Sequence, residues 1–385
     1  MVAVDADNQS ERGFVRPDDY ARERAASAMP PRGELLMASC RAGERLAEGV
    51  LEAYQRLSGT QSAMRPAYLP AIDFAFSDRE TCARLDRDVH GADAFLFQSL
   101  HNPRREEPID QHLMALLVAA RTLREWGARH VTAVVPYLAY ARQDKPTRFQ
   151  REPTTARLVA DLVRSAGIER IVVWHPHSAL ARGFFGDSLV ALEPLGFFLE
   201  QYRDLDGRSD AVVVAPDAGA AGMVAHFSRA LNVRSAIALK RRPVAGEAQI
   251  SEVLGDLSGC RTAIVLDDMI ASGGTLHALV RLLVERWDVA EVLVGASHNL
   301  CLDAAYERLQ DLHHRYRLRE LVITDSIPQT EAFRALPFVR EHTLAEHLAR
   351  AVNAIHYEQP LTAIFSTGPV VGARDTLQTR QTAAQ

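Results

Sequence analysis

Two adjacent carboxylates, followed closely by a glycine-rich turn, carry the most chemistry in this chain. They lie in the segment 264–275, IVLDDMIASGGT. Apolar residues lead into Asp267 and Asp268, and the turn Ala271, Ser272, Gly273, Gly274 and Thr275 then opens a helical period. Glycines let successive backbone N–H groups converge, and a helix starting there adds the positive end of its dipole, which together make an anion cradle. Carboxylates just ahead of it can accept hydrogen bonds from vicinal sugar hydroxyls. A phosphate cradle beside a diol reader is the chemistry of a 5-phosphoribose site. The Gly-Gly pair alone would read as a tight turn capped by aspartates; the whole run points to the sugar phosphate.

Such a site needs strands to deliver it. Apolar runs rich in Val and Ile read as buried strands at 94–98, 131–136, 171–174, 211–215, 236–239, 263–266, 292–296 and 321–324. Helical periods separate them: Ile109, Leu113, Leu116, Leu117, Ala120 and Leu123 share one face, as do Leu158, Leu162 and Val163, then Leu279, Leu282 and Leu283. Continuously apolar strands alternating with helices imply a parallel sheet covered on both sides. The strands are too many for one small sheet, so two α/β domains are expected, meeting between about 180 and 210. In such sheets ligands bind beyond the carboxyl ends of the strands. The stretches there are Tyr137–Lys145, Trp174–Phe185, Asp217 with its neighbours, and Lys240–Arg242.

On these residues the chain resembles the ribose-phosphate diphosphokinase (phosphoribosyl diphosphate synthetase) family from about Cys40 to Phe365. The 264–275 segment is similar to the phosphoribosyl-diphosphate motif of the type I phosphoribosyltransferase fold. The resemblance implies two such domains, each a mainly parallel sheet flanked by helices. It implies transfer of the β,γ-diphosphate of ATP to the 1-hydroxyl of ribose 5-phosphate. Residues 137–145, YLAYARQDK, look like the family's ATP signature, which assigns Arg142 and Gln143 to ATP; an arginine offers a charged fork for phosphate oxygens. Residues 76–80, FSDRE, resemble the adenine-reading loop, so Phe76 would stack on the base while Asp78 and Glu80 accept from it. In the family that loop comes from a neighbouring subunit, so the resemblance implies a dimer-based homo-oligomer, up to a hexamer. His177 and Asp217 match the magnesium ligands, and few protein ligands suit Mg²⁺. Lys240 and Arg242 match a catalytic Lys-x-Arg, where they would meet negative charge building on the transferring group. Asp267, Asp268, Ala271, Ser272, Gly273, Gly274 and Thr275 would hold ribose 5-phosphate.

The chain departs from the family pattern at several points. Ala271 replaces an Asp, Ser272 a Thr, and His175 an Asp. Arg79 takes the place of a smaller or neutral residue, and the stretch between Gln143 and Arg151 is one residue longer. Two other readings stay open. A phosphoribosyltransferase would not need the 137–145 and 76–80 segments. A catalytically silent regulatory subunit would explain Ala271 and His175, but not the retention of Lys240, Arg242, His177, Asp217, Asp267 and Asp268.

Composition agrees with an ordinary globular enzyme. The 385 residues are 47% hydrophobic and 24% charged, with a formal net charge of -5. That balance gives no global basic field for nucleic acid or an anionic membrane. Four cysteines, Cys40, Cys82, Cys260 and Cys301, form no CxxC pair, which disfavours a zinc site or disulfide framework and fits a reducing, cytoplasmic compartment. No apolar run approaches membrane-spanning length, and residues 1–32 lack the apolar core of a signal peptide. The expected organisation is an N-terminal extension over 1–38, possessing at most a helix over 17–28; an ATP-side domain over 39–188; a ribose 5-phosphate-side domain over 189–350; and a C-terminal segment with a loose tail over 351–385.

Overall fold

The computed structural model describes residues 16–19, 22, 32–59, 65–147, 149–241 and 249–361. Most of the expected N-terminal extension, the C-terminal tail and Arg242 lie outside the described residues.

The strands in chain order are β1 (Leu35–Ser39), β2 (Ala67–Leu69), β3 (Asp73–Ala75), β4 (Thr81–Ala83), β5 (Asp93–Phe97), β6 (His130–Val134), β7 (Arg170–Trp174) and β8 (Leu189–Leu192). They continue with β9 (Ala211–Ala215), β10 (Arg234–Arg241), β11 (Gln249–Leu254), β12 (Thr262–Ile270), β13 (Glu291–Asn299), β14 (Leu318–Thr324) and β15 (Val339–His342). The first sheet has the order β2-β1-β5-β6-β7-β8 and is parallel throughout. The second has the order β11-β10-β9-β12-β13-β14-β15 and is parallel except where β11 runs against β10. A small antiparallel hairpin, β3–β4, stands apart from both.

All eight expected strands are present. Their unbroken apolar character follows from burial on both faces. In β12, Ala263 and Val265 face one core while Ile264 and Leu266 face another. That second core also takes Val134, Val172 and Trp174 from the first sheet and Val213, Val224 and Phe227 from the second unit. The two sheets therefore share packing, and the loops at their adjoining carboxyl ends are held in fixed relation.

Several expected borders fall inside elements. Leu35–Ala38, placed in the extension, are buried in β1, which pairs along its length with β5. This short apolar run follows a Pro- and Arg-rich stretch that masks it in sequence. β8 lies beyond 188 yet completes the first sheet by pairing with β7. The helix Ala345–His356 crosses the 350/351 border. It packs back on the first unit, where Asn353 Nδ2 donates to Tyr54 Oη at 3.2 Å and Arg56 pairs with Glu346 at 3.1 Å.

That helix is also tied to the sheet by a buried charge cluster. Asp93 at the start of β5 is fully buried and accepts from Arg32 Nε at 3.0 Å and Nη2 at 3.1 Å. His356 Nδ1 lies 2.7 Å from the same carboxylate. Burial alone would raise the Asp93 carboxyl; the hydrogen bonds from His356 and Arg32 outweigh it and hold the group below its ordinary value. A carboxylate depressed in the folded state contributes stability above its unfolded pKa, about 3.9, and that contribution is lost as pH falls through the folded value. Asp93→Asn leaves Arg32 buried without its counter-charge and should lower stability at neutral pH by about 3–5 kcal/mol. Urea unfolding, read as a midpoint shift at unchanged slope, checks this.

Candidate active site

β12 carries the paired carboxylates. The strand does not stop at Leu266, as the apolar run implies, but continues to Ile270, with Asp267 opposite Ala296 and Met269 opposite His298 on β13. The sheet's end is polar there because it faces the cleft rather than a helix. The turn that follows requires glycine at one position. Gly273 has φ +72°, the left-handed region that costs other residues strain. Space is not the reason, since a Cβ there would meet nothing closer than 3.6 Å. The helix Gly274–Trp287 begins immediately, with His277 N donating to Gly273 O at 2.8 Å. The amides of its first turn are those a helix leaves without internal partners.

Asp267 and Asp268 differ electrostatically. Burial, together with the charges of Asp268 and Asp217, pushes the Asp267 carboxyl well above its ordinary value. Burial also acts to raise Asp268, but the hydrogen bond from His177 reverses the sign and brings it down to about 2. His177 Nδ1 sits 2.5 Å from Asp268 Oδ2, and this contact raises the histidine above its ordinary value. One carboxyl is thus held ionised while its neighbour is shifted toward the neutral form, so the two side chains present unlike electrostatics to whatever lies against them. Asp217, just past β9, accepts from Gly219 N at 2.8 Å.

His177 is presented by the turn after β7. His175, at φ +42°, begins that turn. Its Nδ1 lies 2.6 Å from Ser297 Oγ, and His298 Nε2 lies 3.1 Å from its carbonyl oxygen. Burial and the neighbouring His298 hold His175 down to about 3; burial holds His298 down to about 4. Both rings are neutral at physiological pH, so His298 donates from Nε2 to His175 O and accepts at Nδ1 from Ser326 Oγ, 2.8 Å away. The Ser297 carbonyl keeps the Thr324 hydroxyl as donor at 2.6 Å. His175 therefore takes part in a polar lattice joining the sheets, whereas the aspartate of the family pattern would bring a charge there. Ser178 Oγ donates to Asp144 Oδ2 at 2.6 Å, linking the same turn to the loop after β6 that carries Arg142 and Gln143.

These elements surround one cleft of about 1420 Å³. Its lining includes Arg142 and Gln143, the turn Ala271, Ser272, Gly273, Gly274 and Thr275, and His177, Asp217, Asp267 and Asp268. Phe76, Asp78 and Glu80 are not among its lining residues. They cap the β3–β4 hairpin, where Phe76 is half exposed and meets Phe74 edge-on at 5.3 Å, and Asp78 Oδ1 accepts from Glu80 N at 3.0 Å. Arg79 at that tip has φ +73°. Lys240 lies on β10; its side chain and all of Arg242 are outside the described residues. Lys145, from the 137–145 segment, also lines the cleft, and so do residues that sequence reasoning passed over, including Asp110, Glu152, His277, Arg281 and Arg308. Arg281 and Arg308 sit on helices at ordinary surface spacing, which gave no signal.

Among the described residues no three His, Cys, Asp or Glu side chains gather as a metal cluster, and no helix is long and apolar enough to cross a membrane. A hard cation that retains waters and substrate phosphates needs no such cluster. The carboxylates of this cleft, with one imidazole, fit magnesium on that ground.

Two mainly parallel sheets joined at a cleft, with a glycine-turn cradle beside paired aspartates, define an α/β enzyme of the phosphoribosyltransferase type. Residues 37–167 match the family described as the N-terminal domain of ribose phosphate pyrophosphokinase, and residues 191–334 match the phosphoribosyl transferase domain. The chain belongs to the ribose-phosphate pyrophosphokinase family. It is 35% identical to the ribose-phosphate pyrophosphokinase of Marinomonas sp. over 291 residues, covering 75% of this chain and 89% of the relative. It is 36% identical to that of Haemophilus influenzae over 295 residues, covering 76% and 89%. The crystal structure of phosphoribosylpyrophosphate synthetase from Mycobacterium smegmatis superposes with a TM-score of 0.69 at 31% identity, covering 84% of this chain and 99% of that one.

Proposed function

We propose that the chain transfers the β,γ-diphosphate of ATP to the 1-hydroxyl of ribose 5-phosphate, releasing AMP and 5-phospho-α-D-ribose 1-diphosphate. The observation that carries this is the single cleft joining the Arg142–Gln143 loop to the Asp267–Thr275 segment. Its volume of about 1420 Å³ exceeds the roughly 300–1,000 Å³ of a site for one small ligand, which favours two phosphorylated ligands over a sugar phosphate alone.

Ribose 5-phosphate lies with its phosphate on the amides of 271–275 and its hydroxyls against Asp267 and Asp268. Arg142 and Gln143 receive ATP. The anomeric oxygen bonds to the β-phosphorus, the bridge to the α-phosphorus breaks, AMP carries the bridging oxygen away, and the hydroxyl proton passes to solvent or a nearby carboxylate. The protein contributes chiefly position and charge. His177 and Asp217 are the residues suited to hold magnesium, which when bound neutralises phosphate charge. Lys240, on β10, and Arg242, which follows that strand in sequence, would face the charge that builds on transfer. The exposed Phe76 hairpin, lying off its own cleft, is suited to serve the cleft of a second copy, which makes the active species an oligomer; a monomeric mass by light scattering would exclude that arrangement.

The test is direct. Purified protein with ATP, Mg²⁺ and ribose 5-phosphate should yield AMP and a new diphosphate doublet pair in phosphorus NMR. Absence of AMP would leave the chain a silent subunit, and consumption of added phosphoribosyl diphosphate with a free base would make it a phosphoribosyltransferase.

A further inference from the structure

The cradle at 271–275 has an electrostatic deficit. A sugar 5-phosphate carries close to two negative charges, and the same cleft holds Asp217, Asp267 and Asp268. Against these a helix N-terminus supplies only about half a positive charge. Backbone amides alone would bind the phosphate weakly beside three carboxyl groups.

One cation reaches the turn. Arg308, on the helix Asp303–Arg315 that follows β13, is half-buried in the cleft wall, and its Nη1 donates to Ser272 O at 2.6 Å. A Cβ built on Gly274 would lie 3.7 Å from that Nη1 and 3.8 Å from Ser272 Oγ, so guanidinium, hydroxyl and helix start converge on one point. Three basic groups on the two flanking helices are already engaged. Arg281 pairs with Glu285 at 3.8 Å, Arg315 with Asp311 at 3.3 Å, and His277 Nε2 lies 2.7 Å from Asp311. Among the described residues Arg308 has no carboxylate partner, and a guanidinium carries five N–H donors, of which the Ser272 carbonyl takes one. An arginine whose charge is left uncompensated beside a cluster of amides is arranged for an oxyanion.

We propose that Arg308 grips the 5-phosphate of the sugar, supplying the full charge that the turn lacks and making the site selective for the phosphorylated pentose. This rests on the reading that the 271–275 turn binds ribose 5-phosphate. Arg308 also holds the turn through Ser272 O, so the test must separate grip from support.

Ribose 5-phosphate and unphosphorylated ribose are titrated calorimetrically into full-length protein, and steady-state rates are measured alongside. Arg308→Gln should weaken ribose 5-phosphate binding and raise its KM by about 10- to 100-fold, the loss expected for a charge-assisted hydrogen bond. The KM for ATP should stay as it was and kcat should stay within a few-fold. Preference for ribose 5-phosphate over ribose should shrink by the same factor, and Arg308→Lys should fall between the two. An unchanged KM for ribose 5-phosphate, or a fall in kcat with no change in that KM, overturns the proposal and leaves Arg308 as a support of the turn. Wild-type protein that fails to bind ribose 5-phosphate overturns the functional reading along with it. A measurement on the wild type covers a variant that does not fold: arginine-directed dicarbonyl labelling with peptide mapping. Ribose 5-phosphate should shield Arg308 and ribose should not; equal labelling with and without the sugar phosphate refutes the contact.

Discussion

Replacing Asp268 with alanine should lower turnover by about 100- to 1000-fold, the range seen when a preorganised polar contact to the reacting species is removed. The size follows from what this carboxylate does at once. It lies in the cleft beside the sugar-phosphate turn, it takes the 2.5 Å contact from His177, and its charge helps hold Asp267 above the ordinary carboxyl range. Three consequences can be read separately. His177 should titrate at lower pH, because the Asp268 hydrogen bond is the main cause of its upward shift; NMR of the imidazole protons reports this without any ligand. Asp267 should ionise at lower pH once its like-charged neighbour is gone. Ribose 5-phosphate affinity should fall, as calorimetry would show. Asp268→Asn keeps the shape and an acceptor for His177 but removes the charge, so its rate should lie between wild type and Asp268→Ala. If the alanine variant folds and turns over within a few-fold of wild type, the sugar does not sit where the aspartates are.

How far the sequence disclosed this site depends on the distance over which each feature is determined. The core strands were legible because burial on both faces leaves an unbroken apolar run, as in Val212, Val213 and Val214. The cradle was legible because its carboxylates and glycines are consecutive and the Gly273 conformation is a local demand of the backbone. β1 was not, since four apolar residues, Leu35–Ala38, behind a charged tail look like the tail's end until β5 pairs with them. β8 was missed because its membership of the first sheet is decided by β7 rather than by its own residues. The partner of His175 could not be foreseen, as Ser297 is 122 positions away. Arg308 escaped for the same reason. On its helix it is an ordinary arginine, and only the fold brings it against Ser272. The roles of Phe76, Asp78 and Glu80 came from family resemblance alone, and in one chain they stand apart from the cleft. What is consecutive reads from sequence; what converges across strands does not.

The largest loss is expected at Lys240. β10 pairs in parallel with β9, with Ile237 opposite Ala215. That is the last pair; β10 runs on past the end of β9, so Lys240 lies three residues beyond it, on the side of the sheet where the chain leaves β9 toward Asp217. The β10–β11 register shifts between Leu239 and Lys240, and such a bulge re-aims the strand next to an active site. Phosphoryl transfer leaves little covalent work to the protein, so a cation meeting the charge of the transferring group supplies a large share of the barrier reduction. Lys240→Ala should therefore cut kcat by about 1000-fold or more, by analogy with the effect of a charge-stabilising arginine in phosphoryl transfer. Ribose 5-phosphate affinity should change little, since the proposed arrangement gives the sugar's phosphate and hydroxyls to the β12 segment. If the role is catalytic, the loss falls on turnover and the urea midpoint should stay near that of wild type. Lys240→Arg keeps a cation but alters its reach and geometry, and should recover part of the rate if charge is what matters. Full activity in Lys240→Ala would move the catalytic cation elsewhere along the cleft wall, and an equal collapse of activity and stability would make Lys240 a structural residue instead.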